Sequence, residues 1–106
     1  MKDPNMDALL KELKVQAVAS SSDAGEAFEN AGSFDVETLC AVASVAAGQL
    51  REIGDLLNAG RLERWYFVTE QQAYYVSERS GSRLVAAGEP VKNAEGTSKA
   101  LHRAGR

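Results

Sequence analysis

The sequence predicts an α+β fold: a five-stranded antiparallel sheet covered by a long helix on one face and by short N- and C-terminal helices on the other. Three observations carry this prediction. Residues 35–58 repeat apolar side chains in alternating steps of four and three, the period of a helix with one buried stripe. Residues 62–87 then change to aromatic and β-branched segments, separated by Glu70-Gln71 and Ser80-Gly81-Ser82 at hairpin lengths. In that meander apolar residues occupy both parities, Trp65 and Phe67 against Tyr66 and Val68, which suits a sheet buried on both sides.

Met6, Leu9, Leu10 and Leu13 are spaced three and four apart behind Asp3-Pro4 and predict a short amphipathic helix over 6–13. Residues 14–20 read as a strand, and Ser20 to Gly25 supply turn chemistry. Residues 26–30, around Phe28, pair back as a second short strand, although Glu26, Glu29 and Asn30 are poor strand formers. The long helix buries Leu39, Ala43, Ala46, Leu50, Ile53 and Leu57. Ser33 or Asp35 caps its start, Asp35 and Glu37 favour its positive end, and Asn58-Ala59-Gly60 stops it. Strands follow at 62–69, 72–78 and 83–87, and Gly88-Glu89-Pro90 ends the meander. Residues 93–104 form a short last helix of low intrinsic strength within a segment, 91–106, whose order the sequence leaves open.

Composition bounds the function. The chain has 106 residues, 44% hydrophobic and 25% charged, as expected of one small globular domain. A net charge of -3 argues against nucleic acid as the main partner. The halves differ: residues 1–60 carry 4 basic and 10 acidic side chains, and residues 61–106 carry 8 and 5. Such polarity either orients a protein partner or forms two solvated faces of unequal sign. No apolar run is long enough to insert in a membrane, Met1 to Asn5 lack the apolar stretch of a secretory signal, and Cys40 stands alone. These features predict the cytoplasm. With His102 and Cys40 single, no catalytic Ser-His-Asp or Cys-His set and no four-ligand zinc site is expected. There is no phosphate-binding Gly-x-x-x-x-Gly-Lys-Ser/Thr loop, and no cofactor is expected. Cys40 reads as an inert small hydrophobe.

This order of elements resembles the Roadblock family, the light-chain type found on dynein and among bacterial partners of Ras-like GTPases. The resemblance runs from the Val15–Ser20 strand and its Ser/Asp/Gly turn through the Ala-rich helix around Leu39 to Ala47 and its end at Leu57 and Gly60. It continues through the Leu62–Val68 strand, Ala73-Tyr74-Tyr75-Val76, Leu84-Val85-Ala86-Ala87 and the Asn93-Ala94-Glu95-Gly96 helix start. Residues 97–106 depart from the longer, more apolar final helix usual in the family, and Ala24–Asn30 is unusually acidic. Longin and profilin-type domains share related architecture. The resemblance implies a single domain over 1–106 that is a binding scaffold rather than an enzyme. It implies a homodimer in which a middle strand pairs across a two-fold axis beside two adjacent long helices, and a Ras-like small GTPase or a larger assembly as partner.

On a helix of about 100° per residue, Thr38, Val42, Val45, Gln49 and Leu56 flank the predicted buried stripe. They are the candidate homodimer interface, with Arg64, Trp65 and Tyr66 at the strand seam; otherwise they widen the core stripe or are scattered surface residues. The other flank, Cys40, Ala47 and Gly54, is small enough for close approach and is the alternative dimer face. Glu37, Ala41, Ser44, Gly48, Glu52 and Asp55 form the predicted outermost face, either a platform for the GTPase or an ordinary solvated surface. Arg61, Arg64, Arg79 and Arg83 read as guards of a strand edge, or as contacts to an acidic partner. A second reading, from the small side chains Ala43, Ala46 and Ala47, is a monomeric sensor with a ligand pocket between sheet and long helix.

Overall fold

The computed structural model describes residues 4–105. Met1 to Asp3, which enter the leader reading and the start of the first helix, and Arg106 lie outside the described residues. The elements are α1 (Met6–Leu13), β1 (Ala17–Ser22), β2 (Ala27–Gly32), α2 (Val36–Leu56), β3 (Arg64–Val68), β4 (Ala73–Arg79), β5 (Ser82–Gly88) and α3 (Ala94–Ala104). The five strands form one antiparallel sheet in the order β2-β1-β5-β4-β3.

Local chemistry explains the boundaries. Asn5 caps α1 through the Ala8 N–H, and Lys14, at φ 56°, closes it, so β1 starts three residues later than its apolar pattern suggests. The serines then extend β1 into the hairpin: Ser20 Oγ accepts from the Glu29 N–H and Ser22 Oγ from the Glu26 N–H. The first holds Glu29, of poor strand propensity, in β2, and the second holds Glu26 in the turn before it. Asp35 caps α2 by accepting from the Thr38 N–H at 3.1 Å and the Thr38 hydroxyl at 2.7 Å. The hydroxyl bond, then the backbone bond, hold its carboxyl below the usual carboxylate value. Asn93 caps α3 in the same way through the Gly96 N–H, so the weak last segment is helical over Ala94–Ala104.

Each face of the sheet has its own core. α1 and α3 cover Val18, Ala31, Ala73, Tyr75, Leu84 and Ala86 with Met6, Leu9, Leu13 and Leu101. α2 covers Ala17, Ala19, Val85 and Ala87 with Val36, Leu39, Cys40 and Ala43. It packs over β1, β2 and β5, leaving the β4 and β3 end of its own face to the side chains there.

The buried stripe of α2 differs from the predicted one. Its buried residues are Val36, Leu39, Cys40, Ala43 and Ala47. At 100° per residue that face is turned by roughly 60° from the predicted line. The floor beneath it is alanine-rich, so small side chains bring helix and sheet together and larger ones do not fit. Ile53 and Leu57, expected in the core, are exposed at 51% and 72%, because the last turns of α2 bury nothing against the sheet. Of the alternative dimer face Cys40, Ala47 and Gly54, Cys40 packs in the sheet-side core and Ala47 is fully buried, while Gly54 is half-buried; the Cys40 thiol is pushed up in pKa chiefly by burial. Ala43 and Ala47 likewise close against the sheet rather than leave room above it.

Candidate partner-binding surface

The rotation of α2 rearranges its two predicted surface rows. Thr38, Val42, Val45, Gln49 and Leu56 now point directly away from the sheet; Val45 is 66% exposed and Leu56 82%. The row expected outermost, Glu37, Ala41, Ser44, Gly48, Glu52 and Asp55, lies on a flank. There the β1–β2 turn sits against it. Gly25, at φ 92°, has no Cβ, and one built there would lie 3.1 Å from both Ala41 Cα and Ser44 Cβ. Ser44 Oγ donates to the Asp23 carbonyl at 2.7 Å. Part of that row therefore holds a loop, while Glu37, Gly48, Glu52 and Asp55 stay exposed.

The two edges of the sheet are unlike. The β1–β2 register shifts between Ala19 and Ser21, and β2 carries Glu29 and Asn30 on exposed positions beside a single exposed Phe28. A bulge and charge make a poor edge for further pairing. β3 is regular from Arg64 opposite Ser77 to Val68 opposite Ala73, and ends in exposed Phe67 and Val68. On the α2 face Trp65 stacks on Phe67 (centroids 6.5 Å apart, 7° between planes), Phe67 meets Tyr74 at 4.8 Å, and Tyr74 meets Phe34 edge-on. This aromatic row lies beside α2 and remains partly accessible.

The predicted seam residues divide between the faces. Trp65 shares the α2 face, whereas Arg64 and Tyr66 turn to α3. Arg64 donates to Glu95 at 2.7 Å and to Ser98, and the Tyr66 hydroxyl donates to Glu95 at 3.1 Å. The Arg64 bond, then the Tyr66 bond, hold the Glu95 carboxyl below its usual range; the same carboxylate raises the Tyr66 phenol.

Arg83 corrects the edge-guard reading. It lies on β5, inside the sheet, with no exposed surface. Its guanidinium donates to both oxygens of buried Glu78 at 3.2–3.3 Å and to the Ser22 and Asp23 carbonyls at 3.3 Å. Arg51 of α2 reaches the same Glu78 carboxylate at 3.0 Å and Asp23 at 3.6 Å, and the Trp65 indole N–H donates to Glu78 Oε2 at 3.4 Å. Sequence reasoning missed this cluster, since Arg83 and Glu78 are five positions apart and nothing local marks either as buried. It also missed the pairing of Ser77 Oγ with His102 Nδ1 at 2.8 Å, which ties α3 to β4. Ser77 is enclosed beneath α3, so its hydroxyl is a packing contact rather than an exposed nucleophile.

No family model matches the sequence, and no curated protein sequence does. Solved structures do match. A Roadblock/LC7 domain from Streptomyces avermitilis superposes with a TM-score of 0.79 at 17% identity, covering 97% of this chain and 92% of that one. The chain has a Roadblock fold. MglB of Myxococcus xanthus shares it, with a TM-score of 0.76 at 14% identity over 93% and 86% of the two chains. An MglB described as having a tetrameric arrangement does so at 0.73 and 16%, over 93% and 86%. At these identities the Roadblock likeness is one of fold. Among the described residues no helix is long and apolar enough to cross a membrane, and no group of three or more His, Cys, Asp or Glu is placed to hold a metal ion.

Proposed function

We propose that the chain is a non-enzymatic, homodimeric Roadblock scaffold of the cytoplasm, folded as one domain, that binds a Ras-like small GTPase or a larger complex through the long-helix face of its dimer. One observation carries this reading. The outward row of α2, the regular edge of β3 and the aromatic row beside α2 lie on the same side of the molecule and are open together. Pairing β3 with β3 of a second copy would satisfy edge N–H and C=O groups, so Arg64 and Tyr66 contribute backbone while Trp65 contributes its ring. Fully burying an aliphatic side chain is worth about 1.5–3 kcal/mol. Val42, Val45, Ile53 and Leu56 together therefore offset much of the roughly 4–15 kcal/mol that association costs. The tetrameric arrangement described for an MglB supports self-association as a use of this fold. The exposed Glu37, Glu52 and Asp55 then offer an acidic platform to a partner that brings its own chemistry.

The test is mass in solution by light scattering across a dilution series. The expected result is a dimer of about 23 kDa, twice 11.3 kDa. Val45→Glu should return the monomer while leaving unfolding stability within about 0.5 kcal/mol, since Val45 touches little in one copy. The dimer is then used to capture Ras-like GTPases loaded with GDP or a GTP analogue. A dimer that retains none would remove the GTPase from the reading. A wild-type chain that stays monomeric would favour the sensor reading and direct attention to the hollow of about 310 Å³ bordered by Leu50, Gly54 and Leu62.

A further inference from the structure

We infer that Glu78 is a positioning residue for association of two copies, setting Trp65 at the β3 edge and α2 beside it as one unit. The inference rests on the homodimer reading. Glu78 is enclosed, yet its two oxygens accept from three elements: Trp65 on β3, Arg83 on β5 and Arg51 on α2. A buried carboxylate holds its donors tightly, because its desolvation is recovered only through them. Trp65 is the one tryptophan of the chain, it is half-buried, and its ring lies parallel to that of Phe67 at the open edge. Its indole N–H bond to Glu78 fixes which way that ring lies along the edge. Arg51 takes the other side of the carboxylate from the helix that carries Val42, Val45 and Leu56. The Asp23 carboxylate and carbonyl, bonded to Arg51, Arg83 and Ser44, draw the β1–β2 turn into the same arrangement. The two parts of the proposed dimer surface, ring and helix row, thus share one anchor. Displacing either from Glu78 loosens the other.

Sharing an anchor predicts non-additivity, which a set of independent contacts does not produce. The experiment is a double-mutant cycle on the dimer dissociation constant, measured by sedimentation equilibrium with Glu78→Gln, Trp65→Phe and the pair. Trp65→Phe keeps an aromatic ring but cannot donate. Each single change is expected to raise the dimer Kd by at least about tenfold, and the pair no more than about twofold beyond Glu78→Gln alone. Tryptophan emission gives an independent readout: below the dimer Kd, Glu78→Gln should shift the Trp65 spectrum although the chain remains folded. Effects that multiply, in a wild type that dimerises, would overturn the inference and leave the homodimer standing. A wild type that never dimerises overturns both. Should Glu78→Gln not fold, Arg51→Gln replaces it in the cycle, with the same non-additivity expected through the shared carboxylate.

Discussion

Arg83 and Glu78 face each other across the β4–β5 ladder, and the fully enclosed guanidinium reaches both carboxylate oxygens at 3.2–3.3 Å. Breaking one partner of a buried pair costs about 3–5 kcal/mol, because the other is left charged and enclosed. Arg83→Met should therefore lower stability by about 3 kcal/mol, the low end, since Arg51 still holds Glu78. Arg83→Met with Glu78→Leu should recover most of that loss, as apolar replacements of buried pairs commonly do. Urea unfolding of the three chains decides it; a double variant no more stable than the single would show that the cluster holds the β1–β2 turn by more than charge.

The contrast between the sheet edges predicts opposite results for one substitution at two places. Phe67→Lys, on the regular β3 edge, should convert a dimer to a monomer, since lysine there blocks edge pairing. Phe28→Lys, on bulged β2, should leave the mass unchanged. Size-exclusion chromatography with light scattering separates the cases, and loss of the dimer by Phe28→Lys would place the interface at the wrong edge.

Two glycines should respond with opposite sign. Gly48 lies in α2 with open space where a Cβ would go, so Gly48→Ala should stabilise by about 0.5–1 kcal/mol and raise Tm by several degrees. Gly32 has φ 102°, and a Cβ there would lie 2.1 Å from the Gln16 carbonyl oxygen. Gly32→Ala should cost at least about 1–3 kcal/mol through backbone strain alone. Calorimetry on both chains reads the difference.

Acid should loosen the α2 cap and the tie between α3 and β3. The Asp35 and Glu95 carboxyls both lie below their ordinary values of 3.8 and 4.5, held there by Thr38 and by Arg64 with Tyr66. A lowered folded-state value means that the unfolded chain binds protons first as pH falls. Their contribution is therefore complete above about pH 5 and is lost as pH drops through the lowered native values. Glu95→Gln should flatten the fall in Tm between about pH 5 and 3; an unchanged slope would mean that Glu95 contributes nothing net at that exposed site.

Much of the fold was legible because its signals are local. The 3.5-residue spacing of residues 35–58, the hairpin connections at Glu70-Gln71 and Ser80 to Ser82, and the Asp35 cap all act within a few positions. The rotation of α2 was not legible. It depends on the alanines of β1 and β5 beneath the helix, and those come together only in the folded sheet. For the same reason Ile53 and Leu57 read as core: their spacing is right, but the sheet does not extend under them. The candidate surface was legible as a row of apolar side chains on α2, and its neighbours were not. That Arg64 and Tyr66 turn towards Glu95 while Trp65 turns towards Glu78 follows from strand parity joined to a register no short window contains.

The unlike edges of the sheet also set a limit on growth. Among the described residues, β3 is the edge suited to a further strand, because β2 is kinked and charged. If two copies join there, as proposed, each uses its one receptive margin, and the resulting ten-stranded sheet would be terminated at both ends by β2. Assembly through the sheet is then self-limiting. The chain can expose a regular, aromatic strand to solvent without providing a template on which a third copy, or a fibril, could extend.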